Sequence, residues 1–216
     1  MSVIYSTAFN SDLDINLESF GDWYVVYGGG GRTKVIAAND NVQIIVTAQL
    51  VVHGLLHSLI GDITDYEIAA TVVRGTGFDT GGLAARCSGP SLQGYYHLNT
   101  DNNDDMVLTR YNSATPTILK TTALSLPAGA SMSAVLRVTG TNPVALTYSL
   151  DGNEDTYLDS HADRLQTGPP GLSMFRIATG QSLVTVDNYS VDDLGNTPAL
   201  SVFRGGRRVV SWYYNR

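Results

Sequence analysis

An all-β fold, built as a two-sheet antiparallel jelly-roll sandwich, is what this sequence predicts, on three observations. Residues that coat solvent-facing helices are nearly missing: Glu occurs three times (Glu18, Glu67, Glu154) and Lys twice (Lys34, Lys120) in 216 residues, although both lose little rotamer freedom in a helix and are favoured there. The chain is instead rich in glycine (22) and tyrosine (12), with abundant Val and Thr, the residues of turns and of pleated, half-buried surfaces. Short runs with a two-residue hydrophobic period also recur at regular intervals, with turn residues between them. A chain of this length can bury roughly 70% of its unfolded surface in one core. No self-similar repeat of about 20–50 residues is present, which sets aside a propeller or solenoid.

The runs follow one another along the chain. Leu13, Ile15 and Leu17 alternate with Asp12, Asp14, Asn16 and Glu18, giving one buried and one wet face. Trp23–Tyr27 is closed by Gly28–Gly31. Those glycines with Arg32, Thr33 and Lys34 read as a flexible turn, because the phosphate-loop pattern G-x-x-x-x-G-K-[ST] is not satisfied. Val42–Val52 is the next apolar run, followed by Tyr66–Val73, Gly82–Cys87, Tyr95–Leu98 and Met106–Tyr111. Met132, Ala134, Leu136 and Val138 alternate with Ser133, Val135, Arg137 and Thr139. Leu146–Leu150 turns at Asp151-Gly152, a strong hairpin dipeptide. Leu172–Ile177 and Leu183–Val191 complete about eleven or twelve strands, a number that suits two packed sheets.

Several of these pieces stand in a recognisable order. Phe9 precedes Gly21-Asp22-Trp23; a strand ending in GLAAR (Gly82–Arg86) and the pair Tyr95-Tyr96 come next. LRVTG (Leu136–Gly140), the YSLDG hairpin (Tyr148–Gly152), Gly168–Leu172 and a closing VDNYSV strand (Val186–Val191) follow. Over roughly residues 5–194 this order resembles the concanavalin A-like jelly roll of LamG and laminarinase-type proteins. The resemblance implies a body that binds surfaces, glycans and other proteins. It also implies a structural calcium ion between the first strand and an aspartate of the last, here Asp187; no cofactor is otherwise required.

The chemistry of the enzymatic relatives is not matched. Laminarinase-type glucanases carry an ExDxxE strand, whereas the three glutamates here are isolated and Glu67 is followed by Ile68-Ala69. The galectin signature H-x-N-x-R followed by W-x-x-E is not satisfied either. Asp12-x-Asp14-x-Asn16, Asp101-x-Asn103-x-Asp105 and Asp151-x-Asn153-x-Asp155 open like calcium loops, but all lack the glycine and glutamate that complete an EF-hand. His53 and His57 have the spacing of a helical zinc pair, without the glutamate of HExxH and in strand-like surroundings. Cys87 stands alone, so no disulfide framework exists, and its apolar setting reads as a buried, inert thiol. No enzyme activity is expected.

A net charge of −7 opposes a nucleic-acid partner. No uncharged apolar run reaches the roughly 18 residues of a membrane span, and the first residues show no basic n-region or apolar core of a secretion signal. The chain then divides into a sandwich, 1–194, and a linker with a basic, aromatic docking segment, 195–216. Arg204, Arg207, Arg208 and Arg216 lie in the last thirteen residues with no acid among them, so the remainder carries −11 against a total of −7. With Phe203, Trp212, Tyr213 and Tyr214, the arginines Arg204, Arg207 and Arg208 have the composition of an interface hot spot. The expectation is a non-enzymatic structural or adhesion protein of a virion, made in the host cytoplasm. It would be a tailed-phage capsid decoration (cement) protein or else a tail or fibre component. The segment would join it to other virion subunits or to itself as a homo-oligomer. The alternative is a carbohydrate-binding module or lectin that holds a glycan on the jelly-roll face or loops.

Overall fold

Strict alternation in the long strands lays one face of each against a facing sheet and leaves the other outward. Tyr66, Ile68, Ala70 and Val72 are buried between half-buried neighbours, and Met132, Ala134, Leu136 and Val138 repeat the pattern. The computed structural model describes residues 2–7, 15–16, 23–27, 31–36, 41–46, 51–57, 63–73, 80–88, 94–101, 105–112, 115–127, 129–176 and 180–194. Among them are sixteen strands in two antiparallel sheets.

The nine-stranded sheet runs β14 (Asn153–Asp159), β13 (Val144–Leu150), β12 (Ser131–Thr139), β7 (Tyr66–Val73), β16 (Gly180–Asp193), β5 (Asn41–Val46), β4 (Gly31–Ile36), β2 (Ile15–Asn16). The remaining strand, β1 (Ser2–Thr7), pairs with the second half of β16. The seven-stranded sheet runs β11 (Thr115–Thr122), β10 (Met106–Asn112), β9 (Gly94–Thr100), β8 (Thr80–Ser88), β15 (Gly171–Arg176), β6 (Val51–His57), β3 (Trp23–Tyr27). The core between them includes Tyr66, Tyr96, Tyr148 and Tyr189, each essentially inaccessible, with Leu83, Leu98, Leu108, Leu136 and Leu172. The all-β sandwich is as the sequence predicts.

Two expectations are corrected. Val42–Val52 is not one strand: β5 and β6 belong to opposite sheets, so the apolar run conceals a crossing between layers. Gly31–Lys34 is not a turn but the start of β4, in register with β5 from Gly31–Val46 to Ile36–Asn41. By contrast the Asp151-Gly152 hairpin forms as expected, both residues having positive φ (51° and 78°), as the favoured two-residue turn requires.

One end of the sandwich is tied by a single side chain. A register shift in β8 after Ala85 leaves Arg86 with φ +51° and no exposed surface. Its guanidinium donates to Leu165 O at 2.8 Å, Thr64 O at 2.5 Å and Gly140 O at 2.6 Å. Its amide donates to the Tyr66 hydroxyl, which donates in turn to Gly168 O. The nearest carboxylate, Asp65, is 3.9 Å away. Three loops are thereby fastened to the end of β8. At the open edge, Lys120 of β11 and Asp155 of β14 pair at 2.7 Å, with the Thr122 hydroxyl donating to the same carboxylate. That contact links the outermost strands of the two sheets.

Candidate functional site

The side of the seven-stranded sheet turned away from the core carries a second cluster of aromatic and polar side chains. Since side chains alternate along a strand, Tyr96 and Leu98 enter the core while Tyr95, His97 and Asn99 project outward from β9. Register places Tyr95 opposite Tyr111, His97 opposite Thr109 and Asn99 opposite Val107 on β10. The two tyrosine rings stack, with centroids 4.5 Å apart and planes within 3°. The His97 ring lies 6.0 Å from Tyr95 and 6.2 Å from Tyr111.

Small residues on β8 make room for these rings. Ala84 faces His97 across the ladder, and a Cβ on Gly82 would collide with the Leu98 carbonyl. Over this low strip the Tyr95 hydroxyl reaches Ser173 on β15, whose Oγ donates to it at 3.2 Å. Burial pushes both tyrosine hydroxyls upward in pKa, so neither ionises near neutral pH.

Two polar atoms on this face have no hydrogen-bond partner, His97 Nε2 and Asn99 Oδ1. Burial lowers the His97 pKa to about 4 despite a bond to the Ser173 main chain, so the ring is neutral and Nε2 presents a lone pair. Asn99 uses its amide nitrogen on Thr100 O at 3.1 Å, which leaves Oδ1 as a second bare acceptor. Tyr95 and His97 are each 2% exposed, while Asn99 and Tyr111 are half-buried and Ile118 is exposed. Ala84, Cys87, Val107, Thr109 and Ser173 on the same face are buried as well, so among the described residues it meets solvent only at its rim, at Asn99, Tyr111 and Ile118. None of its described side chains is cationic: Arg110 pairs with Asp159 at 2.7 Å inside the sandwich, and Lys120 is held by Asp155.

Other candidates have structural explanations. A depression of about 240 Å³ on the nine-stranded sheet is lined by Glu67, Arg137, Thr147, Ser149 and Glu154, but Glu67 and Arg137 already satisfy each other at 2.5–2.7 Å. Asp101 uses its carboxylate to accept from Asp105 N and close the β9–β10 turn. Asp155 belongs to the edge contact with β11. His53 and His57 lie on strand β6, where a four-residue separation spans roughly 13 Å rather than one helical turn. Cys87 is buried, as expected, and burial raises its pKa.

Asp187 lies opposite Thr71 of β7, and its carboxylate accepts from Asn188 N at 2.6 Å and Asn188 Nδ2 at 3.1 Å. No three His, Cys, Asp or Glu side chains among the described residues converge as a metal site. The docking residues Phe203, Arg204, Arg207, Arg208, Trp212, Tyr213 and Tyr214 lie outside the described residues.

Sequence alone offers Asn99 as the start of a polar loop suited to sugar hydroxyls and His97 as a histidine without a metal-binding companion, and does not join the two. The signal was the first half of H-x-N-x-R, present at His97–Asn99 with Asp101 in the arginine's place.

No protein-family model matches the chain, and no curated protein matches its sequence. Its structure is similar to a Bacillus subtilis protein of unknown function with a galectin-like fold, at 12% identity and TM-score 0.65, over 89% of this chain and 96% of that one. It is also similar to the carbohydrate binding module CBM66 from Bacillus subtilis, at 14% identity and TM-score 0.61, over 80% and 96% of the two chains. The exoplasmic/lumenal domain of VIP36 in its Ca2+-bound form follows at 12% identity and TM-score 0.57, over 89% and 91%. The same domain bound to Ca2+ and Man3GlcNAc gives 12% and 0.55, over 82% and 87%. The fold is that of the concanavalin A-like and galectin-like sandwiches.

Proposed function

We propose that this protein is a non-catalytic carbohydrate-binding module that holds a glycan on the outer face of its seven-stranded sheet. The observation that carries the reading is the stacked pair Tyr95 and Tyr111, whose half-buried Tyr111 stands at the rim of this face with half-buried Asn99 and exposed Ile118. Sugars combine hydroxyl donors with apolar C–H faces, and sites that hold small ligands combine aromatic walls with a few placed polar groups. Two of the similar structures support the same reading, one being a carbohydrate binding module and the other having been solved with Man3GlcNAc.

In this reading Tyr111 and Asn99 are the contacts nearest solvent, and His97 lies beneath them. Affinity electrophoresis of the full chain through gels containing soluble plant, bacterial and fungal polysaccharides tests it. At least one polymer should retard the protein, and Tyr111→Ala should weaken that retardation about tenfold, the loss of one well-placed contact. Migration unaffected by every polymer, or retardation indifferent to Tyr111→Ala, would remove this face from consideration.

A further inference from the structure

We propose that residues 195–216 fold back onto the outer face of their own seven-stranded sheet and cover it. Antiparallel sheets commonly pack one face on the core and leave the other solvated. Here Ala84, Cys87, Tyr95, His97, Thr109 and Ser173 point away from the core yet are only 1–6% exposed. Burial that runs from β15 across β8 and β9 to β10 is that of a covered surface. The described strands do not supply the cover: all sixteen belong to the two sheets, and the nine-stranded sheet lies on the opposite side. Of the described loops, Leu124, Leu126 and Leu165 turn to the core between the sheets, while Thr64 and Gly140 are tied to Arg86 at the end.

Length, exit point and chemistry single out the C-terminal segment. The other stretches outside the described residues that join strands are seven residues or shorter, whereas 195–216 supplies twenty-two. At roughly 3.3 Å per residue that length reaches about 70 Å, against roughly 10 Å across the ladder from β8 to β10. The chain enters the segment beside this face. Leu194 N donates to Asp65 O at 3.2 Å, the Asp65 carboxylate lies 3.9 Å from the Arg86 guanidinium, and Cys87 is the next residue of β8. Phe203, Trp212, Tyr213 and Tyr214 bring rings to a face already built of rings. Four arginines add charge opposite to the −11 of residues 1–203, and no described cation on the face repels them. Gly205-Gly206 between SVFR and RRVV reads as a hairpin turn, and so short a hairpin needs a surface to pack on. The rim at Asn99, Tyr111 and Ile118 stays clear, so this inference stands apart from the glycan-binding reading and each can fail alone.

Photo-crosslinking of the full chain tests the docking, with benzoylphenylalanine placed at position 212. The expected product has the mass of one chain and joins position 212 to a peptide from residues 80–112. A crosslink between two chains would give the face to a second copy, and crosslinks elsewhere or none would leave the segment undocked; either result overturns the proposal.

The sole cysteine supplies a second readout, since Cys87 lies on the covered face. Trp212→Ala with Tyr213→Ala in the full chain should raise the rate of Cys87 alkylation by iodoacetamide about tenfold, as a locally opened contact does, while urea unfolding remains a single transition. Alkylation at the parent rate in a variant that still unfolds cooperatively would overturn the proposal. Should the double variant fail to fold, the crosslink decides alone.

Discussion

Arg86 carries a full charge into the end of the sandwich and is held there almost wholly by main-chain oxygen. Burial depresses its pKa, yet three carbonyls from separate loops accept its protons. Arg86→Met, similar in length, would leave those carbonyls without a donor. The expected loss is about 3–5 kcal/mol, as when one partner of a buried charged network is removed, read as a lower urea midpoint. His97 acts in the opposite sense. Its folded-state pKa of about 4 lies below the ~6.5 of an unfolded histidine, so the unfolded chain takes up the proton first. Its contribution is whole above pH 6.5 and declines as pH falls from about 6.5 to about 4, by up to about 3 kcal/mol. Urea titrations at pH 7 and pH 4 should show this drop, and His97→Phe should show a smaller one. Neither role is readable from sequence alone. GLAAR marks a strand end, but loop carbonyls leave no compositional trace, and an unpaired acceptor is defined by what surrounds it.

At the scale of elements, strands were legible where one face is buried and illegible at the margins. Runs such as Met132–Thr139 declare themselves through alternation, whereas β11 (TPTILKTT) is exposed at its first four positions and broken by Pro116. β14 (NEDTYLD) is acidic and mostly exposed, and is fixed as a strand by its hairpin with β13 rather than by its own propensity. β4 hides behind four glycines. The same features that hide β11 protect it. An edge strand offers unpaired main-chain groups, and proline, lysine and bulges blunt that hazard. Here Pro116, Lys120 and the register shift at Leu108–Thr109 do so, beside an Ile118 that is 66% exposed. The double variant Pro116→Val, Lys120→Val should self-associate through β11, seen as a rise in mass by light scattering. A mass equal to that of the parent chain would show that the bulge alone suffices.

For the whole molecule, the sandwich was legible because composition and period agree along the chain, and the site was not because it is assembled across it. Tyr95 and Ser173 are 78 residues apart and meet only when β9, β8 and β15 lie side by side. Charge is divided as unevenly as the fold is uniform, with −11 on residues 1–203 and four arginines beyond them within a total of −7. If the segment from 195 onward drives assembly, a 1–194 truncation should be a folded monomer while the full chain forms a defined oligomer in light scattering. Equal masses would leave that expectation without support.

The Arg86 tie gives the two ends of the sandwich unequal histories to expect. The loops at Thr64, Gly140 and Leu165 answer to one side chain, so an insertion in any of them disturbs all three. The opposite end has the Asp101–Asp105 and Asp151–Gly152 turns, closed by their own local bonds and hairpin geometry. Descendants of this chain should therefore diverge in length at that end and hold their length at the other. A designer seeking a place to graft a foreign loop would begin at Asp151-Gly152.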